Sequence, residues 1–210
     1  MRRFVPATAL LLGLIGASAA SAAPTIDLSR LPERCRSVAQ IPTSARSADP
    51  AFGARVSAAS CSADDALSKV PVSDSDATIQ AMDAAAAPSL AMLDDVIAKG
   101  DARWKFVAQY TKADLLFGMQ SRVRSSIPPI GLDTPLDTAR QIEQRHTVLE
   151  PKLMRWNTAA TNALQSATDI ARGDPEVVRS NPIIQTMLLR TQLELQPSPG
   201  VAPGVEPSRK

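Results

Sequence analysis

The chain has 210 residues, 44% of them hydrophobic, 3% aromatic and 21% charged, with a formal net charge of +2. Arg2 and Arg3 belong to an acid-free, leader-like start; without them 21 basic residues stand against 21 acidic ones and the net charge is zero. That balance gives no support for binding nucleic acid or an anionic membrane surface, which demand a clustered excess of Lys and Arg, and no nucleic-acid partner is expected.

Residues 1–22 read as a secretory signal peptide. Arg2 and Arg3 supply the positive start, Leu10 to Ile15 a short apolar run, and Ala20-Ser21-Ala22 a small-residue cleavage pattern. Cleavage is expected after Ala22, with Ala19 as the alternative. The run is shorter than the ~20 residues of helix that cross a bilayer, so no transmembrane anchor is expected in the mature chain. The destination is the periplasm or the medium. Export makes one disulfide the default for Cys35 and Cys61, the only two cysteines. A cross-link over a 26-residue separation is worth on the order of 3 kcal/mol.

Residues 23–48, rich in Pro, Ser and Arg, predict an extended N-terminal segment tied down by Cys35. An all-α domain is then expected over 49–196, built as antiparallel helical hairpins or a helical bundle. Scarce aromatics point the same way, because Leu, Ile, Val, Met and Ala suit helix packing better than a sheet. Asp49-Pro50 opens the first helix as N-cap and first helical residue, with Phe52, Val56, Ala59 and Ala63 on one face. Ser73 or Asp74 is expected to cap the second, whose face is Ile79, Met82 and Ala86 and which Pro88 should break or kink. Leu90, Leu93, Val96 and Ile97 carry the pattern on to Gly100, read as a helix-leaving glycine.

Asp101 should cap a long helix from Ala102 to about Ser125. It bears two apolar stripes, Trp104-Val107-Ala108-Thr111-Leu115-Met119 and Phe106-Tyr110-Ala113-Phe117, which predict a central position covered on more than one side. Thr134-Pro135 starts the next helix, with Leu136, Ala139, Ile142 and Leu149 facing inward until Pro151 interrupts. Leu153, Trp156, Ala160, Leu164, Ala167 and Ile170 then continue to Gly173. Asp174-Pro175 starts a short helical turn and Asn181-Pro182 a last helix to about Leu195. Residues 197–210, rich in Pro and Gly, read as a disordered tail.

Ile97-Ala98-Lys99-Gly100-Asp101 is echoed by Ile170-Ala171-Arg172-Gly173-Asp174. Shared turn chemistry explains the echo most simply; a duplicated α-hairpin is the sharper reading. Over residues 78–125, Ala91 and Ala98 before a tight turn, then Trp104, Val107 and Ala108, resemble a tetratricopeptide-type hairpin. Thr111 stands where that family has Tyr, and the connection from Ala98 to Trp104 is shorter than its standard repeat. The resemblance implies a binding scaffold rather than a catalyst. In general character the chain also resembles secreted helical proteins of GC-rich bacteria such as myxobacteria, which implies no activity.

Chemistry-bearing motifs are few. Glu143-Gln144-Arg145-His146 has the Glu-x-x-His spacing of di-iron bundles, but His146 is the only histidine and that chemistry needs the motif twice. No Cys-x-x-Cys-His haem site, Gly-x-Ser-x-Gly elbow or Gly-rich phosphate loop is present. The expectation is therefore no catalytic residue, no metal and no cofactor. Acidic residues gather over 74–100 and basic ones over 101–124. The plain reading is complementary edges on two packed helices. The functional reading is a basic face of Arg103, Lys105, Arg122 and Arg124 for an acidic partner. The function expected is an exported protein–protein interaction module, not an enzyme, whose partner is another envelope or secreted protein. The alternative is a small-ligand or cofactor-binding bundle, or a hydrolase without a recognised motif.

Overall fold

A computed structural model describes Ser29 and residues 31–40, 50–126 and 135–196. Among these lie seven α-helices: α1 Glu33–Gln40, α2 Pro50–Ser68, α3 Asp76–Lys99, α4 Ala102–Ser126, α5 Pro135–Gly173, α6 Pro175–Arg179 and α7 Pro182–Leu195. No strand occurs among the described residues, and no helix there is long and apolar enough to cross a membrane. The signal-peptide, tail, Asp49 and Thr134 readings fall outside the described residues.

Helix α4 is the hub: it touches α2, α3, α5 and α7. Ala113, Leu116, Met119 and Val123 on one side pack with Ile79, Met82 and Ala86 of α3 and with Leu149, Leu153, Trp156 and Ala160 of α5. Trp104 and Ala108 pack with Phe52, Val56 and Ala59 of α2 and Leu93 and Val96 of α3. Phe106 is fully buried against Ala167 and Ala171 of α5, Val177 of α6 and Ile184 of α7. Apolar residues on several sides put this helix in the middle, as its two stripes predict, while Asp114, Gly118 and Ser121 leave one side open.

The tight turn between α3 and α4 is Gly100-Asp101. The Gly100 N–H donates to Val96 O at 2.8 Å, and its backbone is extended at φ −69°, ψ 163°. Glycine is needed there for space, since a Cβ would lie 2.7 Å from Val96 O and 3.1 Å from Trp104 Cβ. Asp101 Oδ1 accepts from the Trp104 N–H at 2.9 Å, the cap the sequence predicts. The echoed turn is built differently: Gly173 is still helical and Asp174 makes no side-chain cap. Asn181 does cap α7, accepting from the Ile183 N–H at 2.9 Å.

Several expectations are corrected. Helix α1 lies within the stretch read as extended. Cys35 pairs with Cys61 at a Cα–Cα distance of 5.6 Å, and with Leu31 and Ala58 the bridge fixes α1 to α2. The cap of α3 is Ser75, whose Oγ accepts from the Thr78 N–H at 3.2 Å, with Ser73 Oγ in the same hydroxyl cluster. Neither Pro88 nor Pro151 ends a helix. A helical proline frees the carbonyl four residues earlier. Here Ala84 and Pro88, and Thr147 and Pro151, are all exposed, so each freed carbonyl lies on a wet side of its helix. Ala139, expected inside, is exposed, while Leu136 and Ile142 are outside the described side chains.

Candidate functional site

The four basic residues do not form one face. Arg103 and Lys105 lie at the start of α4 and Arg122 and Arg124 near its end, about 28 Å apart at 1.5 Å per residue. The Arg103 guanidinium lies 5.4 Å from the Trp104 ring centroid. Arg124 is engaged by α5, its Nε and Nη2 donating to Glu150 at 3.1 and 2.7 Å. Lys105 and Arg122 are half-buried. Of the expected charge pairing between α3 and α4, Lys112–Asp94 at 2.6 Å is realised. The remaining α3 acids turn elsewhere, Asp95 to Arg55 of α2 at 3.0 Å, and Asp76 and Asp83 to Lys152 and Arg155 of α5.

The His146 side chain lies outside the described residues. Among the described residues no group of three or more His, Cys, Asp or Glu could hold a metal ion. At the α1–α2 junction, Asp65 takes Lys69 at 2.5 Å and Arg34 at 2.9 Å. The Lys69 hydrogen bond, reinforced by the positive charges of Lys69 and Arg34, holds the Asp65 carboxyl below its ordinary value despite an opposing desolvation.

The feature best formed to receive a ligand is a cleft of about 440 Å³ between α4, α5 and α7. Helix α4 supplies its floor at helical spacing, with Tyr110, Asp114, Phe117, Ser121 and Arg124 on one face; Leu164 of α5 and Arg190 and Glu194 of α7 form the sides. Helix α7 runs beside α4 in the same direction. Ile184 packs with Phe106, Arg190 Nη1 donates to the Tyr110 hydroxyl at 3.5 Å, and Leu195 joins the cluster holding Leu116. It stops five residues past Arg190, whereas α4 runs sixteen residues past Tyr110. About 16 Å of α4 therefore extends beyond the end of α7.

Gln120 is the anomaly of this cleft. It is 2% exposed, lines the cavity, and its Nε2 has no hydrogen-bond partner. A buried polar group left unpaired costs about 1–3 kcal/mol. Phe117, expected in the core, is half-buried and forms the cleft wall, and Tyr110 is half-buried beside it. Outside the cleft, α7 exposes Leu189 and Leu193 at 62% and 67%, and Ile183 at 65%.

The sequence reading missed Gln120, Ser121, Arg190 and Glu194. A signal existed for Gln120: Ala113, Leu116, Gln120 and Val123 share one heptad stripe, in which a glutamine is out of place. Arg190 and Glu194 carried none, because two exposed charged residues at helical spacing look like any solvated face. In comparisons with protein families, curated proteins and solved structures, nothing matches the chain.

Proposed function

We propose that the protein is an exported helical module that binds a peptide segment of another envelope or secreted protein in the α4–α5–α7 cleft. The observation that carries this reading is the unpaired Gln120 amide, buried in a cleft walled by Tyr110 and Phe117. A donor in that position favours an incoming carbonyl, and two aromatic rings favour the apolar part of the same segment. Leu189 and Leu193 on α7, next to the cleft-lining Arg190 and Glu194 in sequence, add exposed apolar surface outside the cleft. Export is supported by the leader-like residues 1–22, and the Cys35–Cys61 bridge is compatible with it.

The reading is binding rather than catalysis: the amide, serine hydroxyls and aromatic rings hold a chain in place, and the charged Asp114, Arg124, Arg190 and Glu194 serve as polar anchors around it. A small-molecule ligand is the second reading, favoured by a volume within the roughly 300–1,000 Å³ of such sites. The exposed apolar stripe of α7, which a small molecule would leave uncovered, weighs towards a peptide.

The test is a peptide selection against the protein, followed by binding to variants. Selected peptides should lose at least tenfold in affinity on Ser121→Trp, which fills the cleft from an exposed position. They should be indifferent to Arg122→Ala. Dependence on Arg122 with indifference to Ser121→Trp would move the interaction to a basic surface and overturn the proposal.

A further inference from the structure

Helix α7 delivers the chain to the mouth of the cleft. Glu194 lines it, and two residues later Gln196 has left the helix at φ −66°, ψ 130°. Those angles lie in the polyproline II region, and the residue before a proline is held there by sterics. Pro197 is next. The fourteen residues 197–210 contain four prolines, at 197, 199, 203 and 207, and no aromatic.

A polyproline II segment makes no internal hydrogen bonds, so its carbonyls are free to accept, and its flat apolar faces suit grooves lined with aromatic side chains. The cleft offers Tyr110 and Phe117 as walls, and the Gln120 Nε2–H as a buried, unused donor that a turn of the side chain would present to a carbonyl. We propose that the ligand class of the cleft is a proline-rich segment, and that the segment it takes is this chain's own residues 197–210, in competition with a partner. The inference rests on the cleft being the protein's binding site. Length is no obstacle. Fourteen residues reach about 40 Å at polyproline II rise, against the roughly 16 Å of α4 that extends beyond α7.

A tethered segment acts at an effective concentration of about 1 mM, so an intrinsic dissociation constant near 0.1 mM would leave the site about nine-tenths occupied. The experiment compares the full chain with one ending at Gln196, each titrated with a fluorescently labelled peptide of residues 197–210. The shortened chain should bind it about tenfold more tightly than the full chain does. Ser121→Trp in the shortened chain, and replacement of the peptide's four prolines by alanine, should each weaken binding at least tenfold.

Equal affinity for both chains, no binding to the shortened chain up to about 1 mM peptide, or indifference to either replacement overturns the inference. Peptides selected against the shortened chain separate this from failure of the underlying reading. If they bind and depend on Ser121 while the 197–210 peptide does not bind, the cleft remains a binding site and this occupant is wrong. If they too ignore Ser121→Trp, both fall.

Discussion

The Trp156 indole Nε1–H donates to Asp83 Oδ1 at 2.7 Å, while Arg155 holds the other oxygen of the same carboxylate. One aspartate of α3 thus fixes two consecutive residues of α5, and the indole itself is 3% exposed. Trp156→Phe keeps most of the buried ring and removes the donor to a charged acceptor, so it should cost about 1.5–3 kcal/mol. Trp156→Ala adds the cavity and should cost about 3–5 kcal/mol. Urea denaturation of both variants checks the order; a Trp156→Phe variant as stable as the parent would mean that the hydrogen bond contributes nothing.

The two turn glycines should respond in opposite ways. Gly100→Ala drives a Cβ to 2.7 Å from the carbonyl that its own N–H pairs with, and should destabilise by about 1–3 kcal/mol. Gly173 ends α5 with nothing within 4 Å of a built Cβ. Gly173→Ala should leave stability unchanged or raise it by up to about 1 kcal/mol through helix propensity. Thermal melts of the pair decide; a loss at Gly173 as large as that at Gly100 would refute the distinction.

The long helix tests its own two stripes. Phe106 is fully buried, so Phe106→Ala should cost about 3–5 kcal/mol. Phe117 is half-buried at the cleft wall and Phe117→Ala should cost clearly less, while weakening peptide binding. Equal destabilisation would place Phe117 in the core after all.

These residues also mark how far the sequence could be read. Two caps were legible because each is a local rule, Asp101 on Trp104 and Asn181 on Ile183, whereas α3 is capped by Ser75 rather than Ser73 or Asp74 and Asp174 makes no side-chain cap. The central place of α4 was legible because two stripes cannot both face water. Pro88 and Pro151 misled, since whether a proline ends a helix depends on whether its freed carbonyl meets solvent, which the exposed Ala84 and Thr147 decide. The cleft was hidden for a related reason. It exists because α7 stops while α4 continues, and tertiary packing sets that offset, Ile184 with Phe106 and Arg190 beside Tyr110.

Acid should loosen the α1–α2 junction. The Asp65 carboxyl is held below its ordinary value of 3.8 by Lys69 first and Arg34 with it. A depressed folded value means that the stabilisation is fully present above the unfolded value and is lost as pH falls through the folded one, below about pH 4. Asp65→Asn should therefore be less stable than the parent at pH 7 and approach it at pH 2–3. Melts across that range check it; a gap that does not narrow on acidification contradicts the assignment.

Gln120→Leu tests the account most directly, because it separates stability from function at one buried atom group. It removes an amide whose Nε2 has no partner and puts an apolar side chain of similar size on the stripe of Ala113, Leu116 and Val123. If the amide is retained to receive a ligand, the variant should unfold at the same urea concentration as the parent or higher, while peptides selected for the cleft lose at least tenfold in affinity. A variant that is less stable yet binds those peptides unchanged would show that Gln120 serves the fold and that the cleft does not use it.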